Sequence, residues 1–149
     1  MSGEAGAAAP GGRLEGGCHL LPVRVYWEDT DAGGIVYHAS YLRFLERGRT
    51  ELLRALGIGQ MALLAETGVA FVVRRMTVEF HGAARLDDVL TVATEPQLVS
   101  GATLGLRQSV RRGDAELIAA EVTCACIRDG RAARLPAAVK ARLGALGVG

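Results

Sequence analysis

The segment from residue 40 to about residue 56 carries the strongest structural pattern in this chain of 149 residues. Its large apolar side chains recur at spacings of four, seven and four, as on one face of a helix: Tyr41, Leu45, Leu52 and Leu56. Gly48 falls on the same stripe, although glycine costs a helix interior up to about 1 kcal/mol relative to alanine. We therefore expect the helix to lie tight against a sheet at Gly48, and to end at Gly57.

The rest of the chain shows strand patterns, in which apolar residues alternate with polar ones. The predicted strands cover residues 21–27, 71–80, 89–95, 103–111 and 115–127, and two short helices cover 61–66 and 137–143. In the second strand one face carries Val72, Met76, Val78 and Phe80, although Arg74 shares it. A single helix with an apolar face must be covered by such a sheet. We predict an α+β fold, with a long central helix wrapped by an antiparallel sheet of about five strands.

The N-terminus differs in composition from the remainder. It is rich in glycine and alanine and has few large apolar groups, so it cannot repay the entropy cost of ordering. We predict a flexible tail over residues 1–19 and one domain over residues 20–149. The N-terminus lacks a basic start and a continuous apolar core, and no apolar run is long enough to cross a bilayer. We therefore expect a soluble cytoplasmic protein without an integral membrane segment.

Charge and cysteine content narrow the function classes further. The net charge is +1, from 17 basic and 16 acidic residues, which argues against a nucleic-acid binder. The odd number of cysteines argues against a complete disulfide framework. Cys124 and Cys126 would share one face of a strand, and no further zinc ligands stand at compatible spacing. We expect buried structural thiols, and neither a metal nor a cofactor.

The chemistry-bearing residues concentrate between residues 28 and 41, EDTDAGGIVYHASY. Three carboxylates precede two glycines: Glu28, Asp29 and Asp31, then Gly33 and Gly34. A carboxylate near apolar residues can act as nucleophile or general base, and glycines let a backbone turn sharply and approach a ligand. The start of the following helix has unpaired N–H groups and a positive dipole end, which suit a developing oxyanion. This combination indicates acyl transfer.

Simpler interpretations exist for the same carboxylates. Asp31 could cap a turn by bonding its own backbone, and motif chemistry alone balances this against catalysis. Asp29 is expected to bond the loop backbone, and Glu28 to be a surface charge. Magnesium prefers carboxylate oxygens, but the adjoining segment is apolar and offers no further acceptor side chain. Glu46 is expected to pair with Arg43 or Arg49 along the helix, and Glu51 with Arg47.

Two blocks resemble a known family. EDTDAGGIVYHASYLRFLERGRTELLRALG (residues 28–57) and FVVRRMTVEFHGAARLDDVLTV (residues 71–92) are similar to the 4-hydroxybenzoyl-CoA thioesterase family of hotdog proteins. They are most similar to the branch encoded beside the Tol–Pal envelope machinery of Gram-negative bacteria. One departure from the benzoyl-CoA enzyme is Ala32, where that enzyme has proline. This departure weakens the case for an aromatic substrate, and the resemblance to the Tol–Pal-associated branch implies short-to-medium aliphatic acyl groups.

The resemblance implies specific roles. Asp31, the second aspartate of the D-x-D pair, would attack the thioester carbonyl or activate a water. The backbone N–H of His38 would hold the carbonyl oxygen, and the His38 ring would help the leaving thiolate or position water. The intervening residues are expected to contact substrate: Gly33, Gly34, Ile35, Val36 and Tyr37. Candidates for the CoA phosphates are Arg74, Arg75, Arg107, Arg111 and Arg112.

The resemblance also implies partners and leaves rivals open. Acyl-CoA is the expected substrate, acyl carrier protein an expected partner, and a homodimer or homotetramer the expected assembly. Because hotdog active sites lie between subunits, Asp31 should work beside partner residues in the 61–75 region. One rival is a hotdog hydratase or dehydratase using His38 and Glu46. Another is a noncatalytic scaffold that binds acyl carrier protein or the Tol–Pal machinery.

Overall fold

The structure is a computed structural model that describes residues 10–148. Five long and two short strands form a single antiparallel sheet, accompanied by three helices. The strands are β1 (Arg13–Glu15), β2 (Cys18–Arg24), β3 (Ala70–Phe80), β4 (Val89–Ser100), β5 (Thr103–Arg112), β6 (Ala115–Arg128) and β7 (Arg131–Ala132). The helices are α1 (Ser40–Ala55), α2 (Gln60–Thr67) and α3 (Ala137–Gly144). The predicted α+β architecture is confirmed.

The sheet order is β1-β2-β4-β5-β6-β3, and β7 pairs with the end of β6. Consecutive strands β4, β5 and β6 form a meander, with Asp129 and Gly130 in the turn that leads to β7. In contrast, β2 and β3 stand far apart in the sheet although only the loop, α1 and α2 separate them in sequence. The chain therefore crosses one face of the sheet through α1, which packs against β2, β4 and β5.

Helix α1 lies close to the sheet at Gly48, as its sequence predicts. A Cβ atom added to Gly48 would lie 2.7 Å from both Thr94 Oγ1 and Val92 Cγ1. The buried face of the helix includes Phe44, Leu45 and Leu52, each fully buried. The helix ends as expected, because Gly57 adopts the left-handed backbone conformation with φ 77°.

A buried polar network that sequence analysis missed fastens α1 to the sheet. Gln108 on β5 is 1% exposed, and its Nε2 donates to the Leu45 carbonyl oxygen and to Thr94 Oγ1, both at 2.8 Å. Its Oε1 accepts a hydrogen bond of 3.1 Å from Nη1 of Arg49. A satisfied buried network of this kind fixes the position of the elements that it joins.

The predicted tail is wrong over residues 13–19, and residues 1–9 lie outside the described residues. Arg13–Glu15 pair with the start of β2 through a turn in which Gly16 and Gly17 have φ of 57° and 79°. His19 is fully buried, and its Nε2 donates to the Gly11 carbonyl oxygen at 2.7 Å. A carbonyl can only accept, so Nε2 carries the proton. These backbone pairings and this buried ring supply the order that composition alone did not predict.

Strand β3 forms one edge of the sheet, and its predicted face is wrong in part. The register to β6 shifts between Val73 and Arg75, which is a β-bulge at Arg74. The bulge resets the alternation, so Phe71 and not Val72 shares the half-buried face with Met76 and Val78. Phe80 is 52% exposed. The bulge explains why Arg74 disturbed the pattern.

Cys124 and Cys126 are 5% and 0% exposed and lie in the core, which confirms buried thiols. Burial raises the pKa of both thiols, so neither is activated as a nucleophile. Over residues 10–148, no helix has the length and apolar character required to span a membrane.

Candidate active site

The loop between β2 and α1 closes on itself around a glycine turn. Thr30 and Val36 form an isolated antiparallel bridge. Inside it, the Asp31 N–H donates to the Ile35 carbonyl oxygen at 2.9 Å, and the Gly34 N–H donates to the Asp31 carbonyl oxygen at 3.0 Å. Gly34 has φ 80°, a conformation that glycine adopts without steric cost. The turn therefore presents Asp31 from a backbone that its own hydrogen bonds hold.

The Asp31 side chain makes a turn hydrogen bond and keeps one carboxylate oxygen accessible. Its Oδ1 accepts a hydrogen bond of 2.8 Å from the Gly33 N–H, which is the turn-capping bond typical of aspartate. A Cβ on Gly33 would lie only 3.1 Å from this oxygen, so the bond is best accommodated by glycine. Asp31 is exposed, and within the described chain no protein donor bonds Oδ2. One oxygen thus orients the carboxylate while the other is available to a substrate or water.

Asp29 is structural, as predicted, and Glu28 is an exposed surface charge. Asp29 is 5% exposed, and its Oδ2 accepts a hydrogen bond of 2.8 Å from the Tyr26 N–H. Its carbonyl oxygen accepts another of 2.8 Å from the Tyr37 N–H. Asp29 therefore joins the start of the loop to its end and sets where α1 begins.

The N-terminus of α1 offers unpaired backbone donors beside this loop. Helix α1 starts at Ser40, and its N-cap residue Ala39 makes no side-chain capping bond. Among residues 10–148, the His38 N–H makes no hydrogen bond. This N–H lies in an exposed residue at the positive end of the helix dipole. It can donate to an oxygen that acquires negative charge.

A frame that sequence analysis missed supports the loop and the helix together. The buried Tyr41 hydroxyl accepts a hydrogen bond of 2.9 Å from the Ala84 N–H. The Ala84 carbonyl oxygen accepts one of 2.8 Å from the Val36 N–H. Burial raises the pKa of Tyr41 above its usual value, so it stays a neutral phenol. No local sequence pattern indicates the role of Ala84, because this role depends on its main-chain atoms.

The predicted substrate-contacting segment divides in two. Gly33 and Gly34 are exposed, Ile35 is half-buried and Tyr37 is 47% exposed. In contrast, the Val36 side chain is 2% exposed and packs in the core, so the expectation that it contacts substrate is corrected. The bridge to Thr30 and the bond to Ala84 turn this side chain inward.

Aromatic rings surround the His38 side chain. The His38 ring centroid lies 4.5 Å from that of Tyr37 and 6.4 Å, edge-on, from that of Phe80. Phe80 is the last residue of the edge strand β3, so the loop and this edge meet at His38. The structure thus brings Tyr37, His38 and Phe80 together at one exposed surface.

The sequence pattern of the thioesterase-like superfamily matches residues 25–143, which include the whole loop, α1 and the strands from β3 to β6. The chain belongs to the thioesterase-like superfamily.

Relatives of this thioesterase-like chain agree with that assignment. It is 50% identical over 111 residues to an acyl-CoA thioesterase, YbgC, of Haemophilus influenzae, covering 74% of this chain and 82% of the relative. A probable thioesterase from Bartonella henselae is 39% identical, with a TM-score of 0.77 over 80% of this chain and 99% of that one. The 4-hydroxybenzoyl-CoA thioesterase of Pseudomonas sp. strain CBS-3 has a TM-score of 0.78 at 23% identity, covering 84% and 98%. The hotdog fold is confirmed.

The five arginines expected to bind the CoA phosphates differ in whether they already face a carboxylate. Arg112 Nη1 lies 2.9 Å from Asp88 Oδ2, and Arg111 lies 3.7 Å from Glu116, so both guanidinium groups already face a carboxylate. The other three are exposed and lie on β3 and β5: Arg74, Arg75 and Arg107.

The predicted helix pairings are wrong. Glu46 Oε1 accepts a hydrogen bond of 2.8 Å from Thr50 Oγ1, and Glu51 pairs with Arg54 at 3.1 Å.

Proposed function

We propose that the protein hydrolyses an acyl-CoA thioester to a carboxylate and CoA. Asp31 acts as nucleophile or general base, and the His38 N–H donates to the oxyanion. The observation that carries the proposal is the exposed Asp31 carboxylate, in a loop that leads into the uncapped start of α1. Its Oδ1 accepts the Gly33 N–H, and among residues 10–148 no donor bonds its Oδ2. The relatives named acyl-CoA thioesterases support the same reaction.

Two routes are consistent with this geometry. In the first, Asp31 Oδ2 attacks the thioester carbonyl, the C–S bond breaks, CoA leaves as a thiolate, and water then hydrolyses the mixed anhydride. In the second, Asp31 takes a proton from a water that attacks the carbonyl directly. Both place negative charge on the carbonyl oxygen, which the His38 N–H stabilises. The exposed His38 ring is positioned to protonate the departing thiolate or to hold the water.

We propose short-to-medium aliphatic acyl groups as substrates. A cavity of about 170 Å³ lies between α1, α2 and the start of β3. Such a volume is close to the roughly 150 Å³ that holds a benzene ring in an engineered apolar cavity. An acyl group of about six non-hydrogen atoms fits it.

The edge strand supports a dimer as the working unit. Among residues 10–148, no strand pairs with the outer side of the 11-residue strand β3, and Val72 and Val73 on it are 40% and 45% exposed. Such an edge is a template for pairing with another strand. Antiparallel pairing with a second copy about the midpoint, Arg75, would set Phe80 opposite Ala70 of that copy. The Asp31 loop of one copy would then face the cavity of the other.

The proposed acyl-CoA substrate suggests where the protein acts in the cell and which second acyl carrier it binds. We propose a cytoplasmic protein because acyl-CoA is handled there, and acyl carrier protein as a second carrier of the acyl group. Pull-down of holo acyl carrier protein by the purified dimer tests the carrier. Binding without turnover of any thioester would favour the scaffold over the enzyme.

The deciding experiment is thiol release from a panel running from propionyl-CoA to palmitoyl-CoA, with 4-hydroxybenzoyl-CoA included. Wild type, Asp31→Asn and the control Glu28→Gln, an exposed carboxylate of the same loop, are compared. We expect activity on short or medium chains, a loss of about 10²–10⁴-fold for Asp31→Asn, and little change for Glu28→Gln. Wild-type turnover by Asp31→Asn would refute the catalytic assignment and direct attention to Glu46.

A further inference from the structure

The cavity beside α2 is lined by both apolar and polar residues. One wall is apolar and includes Phe71, Leu104 and Leu106, whereas the α1 side carries both polar and apolar residues: Glu46, Arg49, Thr50, Leu52 and Leu53. A chain of hydrogen bonds runs along that side. Gln60 Nε2 donates to Thr50 Oγ1 at 3.2 Å, and Thr50 Oγ1 donates to Glu46 Oε1 at 2.8 Å. A purely aliphatic ligand would add no hydrogen-bond or ion-pair partner for the polar residues of this cavity.

Arg49 is the cation of this cavity, and it is half-buried. Over residues 10–148, no carboxylate oxygen lies within 4.0 Å of its guanidinium nitrogens. Partial burial lowers the pKa of Arg49 from its usual value, with Glu46, one turn earlier, opposing the shift as a lesser influence. A partly desolvated cation without an ion-pair partner is costly unless a ligand completes its interactions.

The Arg49 guanidinium group is also held in place by a hydrogen bond to the sheet. Its Nη1 donates to Oε1 of the buried Gln108 at 3.1 Å. Gln108 cannot turn away, because its Nε2 donates to both the Leu45 carbonyl oxygen and Thr94 Oγ1. Arginine has five N–H donors, so several remain for a ligand. A preorganised guanidinium suits a carboxylate, which it can bind through two parallel hydrogen bonds.

We propose that this cavity selects acyl groups of about four carbons that end in a carboxylate, and that Arg49 is the residue that recognises this distal carboxylate. A succinyl group has about seven non-hydrogen atoms, close to what the 170 Å³ cavity can hold. The assignment rests on the proposed function. In its own chain, Phe71 at the cavity lies about 30 Å along β3 from Phe80, so the thioester would meet Asp31 of the second copy.

The test is equilibrium binding by calorimetry, on protein carrying Asp31→Asn so that the thioester survives. Succinyl-CoA, 4-hydroxybutyryl-CoA and butyryl-CoA serve as probes, because they share the CoA portion and the chain length. We expect succinyl-CoA to bind at least about tenfold more tightly than butyryl-CoA, as charge-assisted hydrogen bonds imply. Adding Arg49→Met should reduce this preference to about twofold or less. Adding Arg54→Met instead, on the exposed side of the same helix, should leave it unchanged.

The results of this experiment test the role of Arg49 separately from the proposed thioesterase reaction. Equal affinity for succinyl-CoA and butyryl-CoA, a preference that survives Arg49→Met, or no binding of either would overturn the role of Arg49. An equal gain with 4-hydroxybutyryl-CoA would show that a hydroxyl suffices and overturn the carboxylate assignment. The thiol-release assay tests separately whether the wild type hydrolyses acyl-CoA and whether hydrolysis depends on Asp31. The proposed reaction can therefore be correct even if the role of Arg49 is wrong, and Arg49 can bind the carboxylate even if the proposed reaction is wrong.

Loss of Arg49 also leaves Gln108 Oε1 without a partner and could lower stability. The ratio of two dissociation constants measured on one protein is independent of the fraction folded. Arg49→Lys adds a second check, since it keeps the charge but loses the planar fork. It should retain part of the preference for succinyl-CoA over butyryl-CoA.

Discussion

Gly48→Ala tests how tightly α1 lies on the sheet. In an open helix the substitution would stabilise by up to about 1 kcal/mol through helix propensity. Here the added Cβ would lie 2.7 Å from Thr94 Oγ1 and Val92 Cγ1, which belong to fully buried β-branched side chains. Overpacking of this kind costs about 1–3 kcal/mol. Displacing Thr94 also weakens its hydrogen bond from Gln108, at about 1 kcal/mol. The net expectation is a loss of about 1–3 kcal/mol.

Urea denaturation of both proteins measures this difference directly, with an accompanying fall in Tm of about 2–4 °C per kcal/mol. Gly144→Ala is the matched control, because Gly144 lies in α3 and nothing is within 4 Å of its added Cβ. We expect this control to be neutral or slightly stabilising. A Gly48→Ala protein as stable as wild type, or more stable, would refute the argument from close approach.

Three further predictions follow from the site and its supports. His38→Ala keeps the backbone N–H, whereas His38→Pro removes it, so kcat should fall less with alanine than with proline. Equal losses of kcat in thiol-release assays would contradict the oxyanion role of this N–H. Asp29→Ala leaves the Tyr26 N–H unpartnered and should cost about 1–3 kcal/mol in urea denaturation, whereas Asp29→Asn, which keeps an acceptor oxygen, should cost less. Burial lowers the pKa of His19, and its Nδ1 has no hydrogen-bond partner within residues 10–148, so the unfolded chain binds a proton that the folded chain resists. Stability should therefore decrease as pH falls below about 6.5, by at most about 1.4 kcal/mol per pH unit, and His19→Gln should flatten this dependence.

The helices and most strand boundaries could be predicted because they depend on local patterns. The period of α1 and the glycine after it placed the helix within one residue of its observed end. The strand β3 was found, but its bulge at Arg74 was not, since a bulge is visible only against the partner strand. The β1–β2 hairpin was missed because glycine-rich composition suggested disorder, whereas a buried His19 and paired backbone groups order it.

The candidate site could be proposed from its residue types, whereas the residues that support it could not be predicted. Asp31 and His38 stand in a recognisable segment, and their exposure agrees with reactive roles. Gln108 and Ala84 lie more than 40 residues from α1's start in sequence and become neighbours of the helix only through the sheet order. Pairings along α1 were also misjudged, because Glu46 and Arg49 each found a neutral partner that charge patterning does not consider.

The frame at Ala84 has a consequence for how this protein can vary. Its two bonds, to Tyr41 of the helix and Val36 of the loop, use only the main-chain atoms of Ala84, and its methyl group is fully buried. The position therefore tolerates only a small side chain, while its exposed neighbours can change without altering the frame. Related proteins could thus acquire different surfaces beside the same carboxylate, and diversify in the ligands they admit, while the geometry of the loop and helix stays constant.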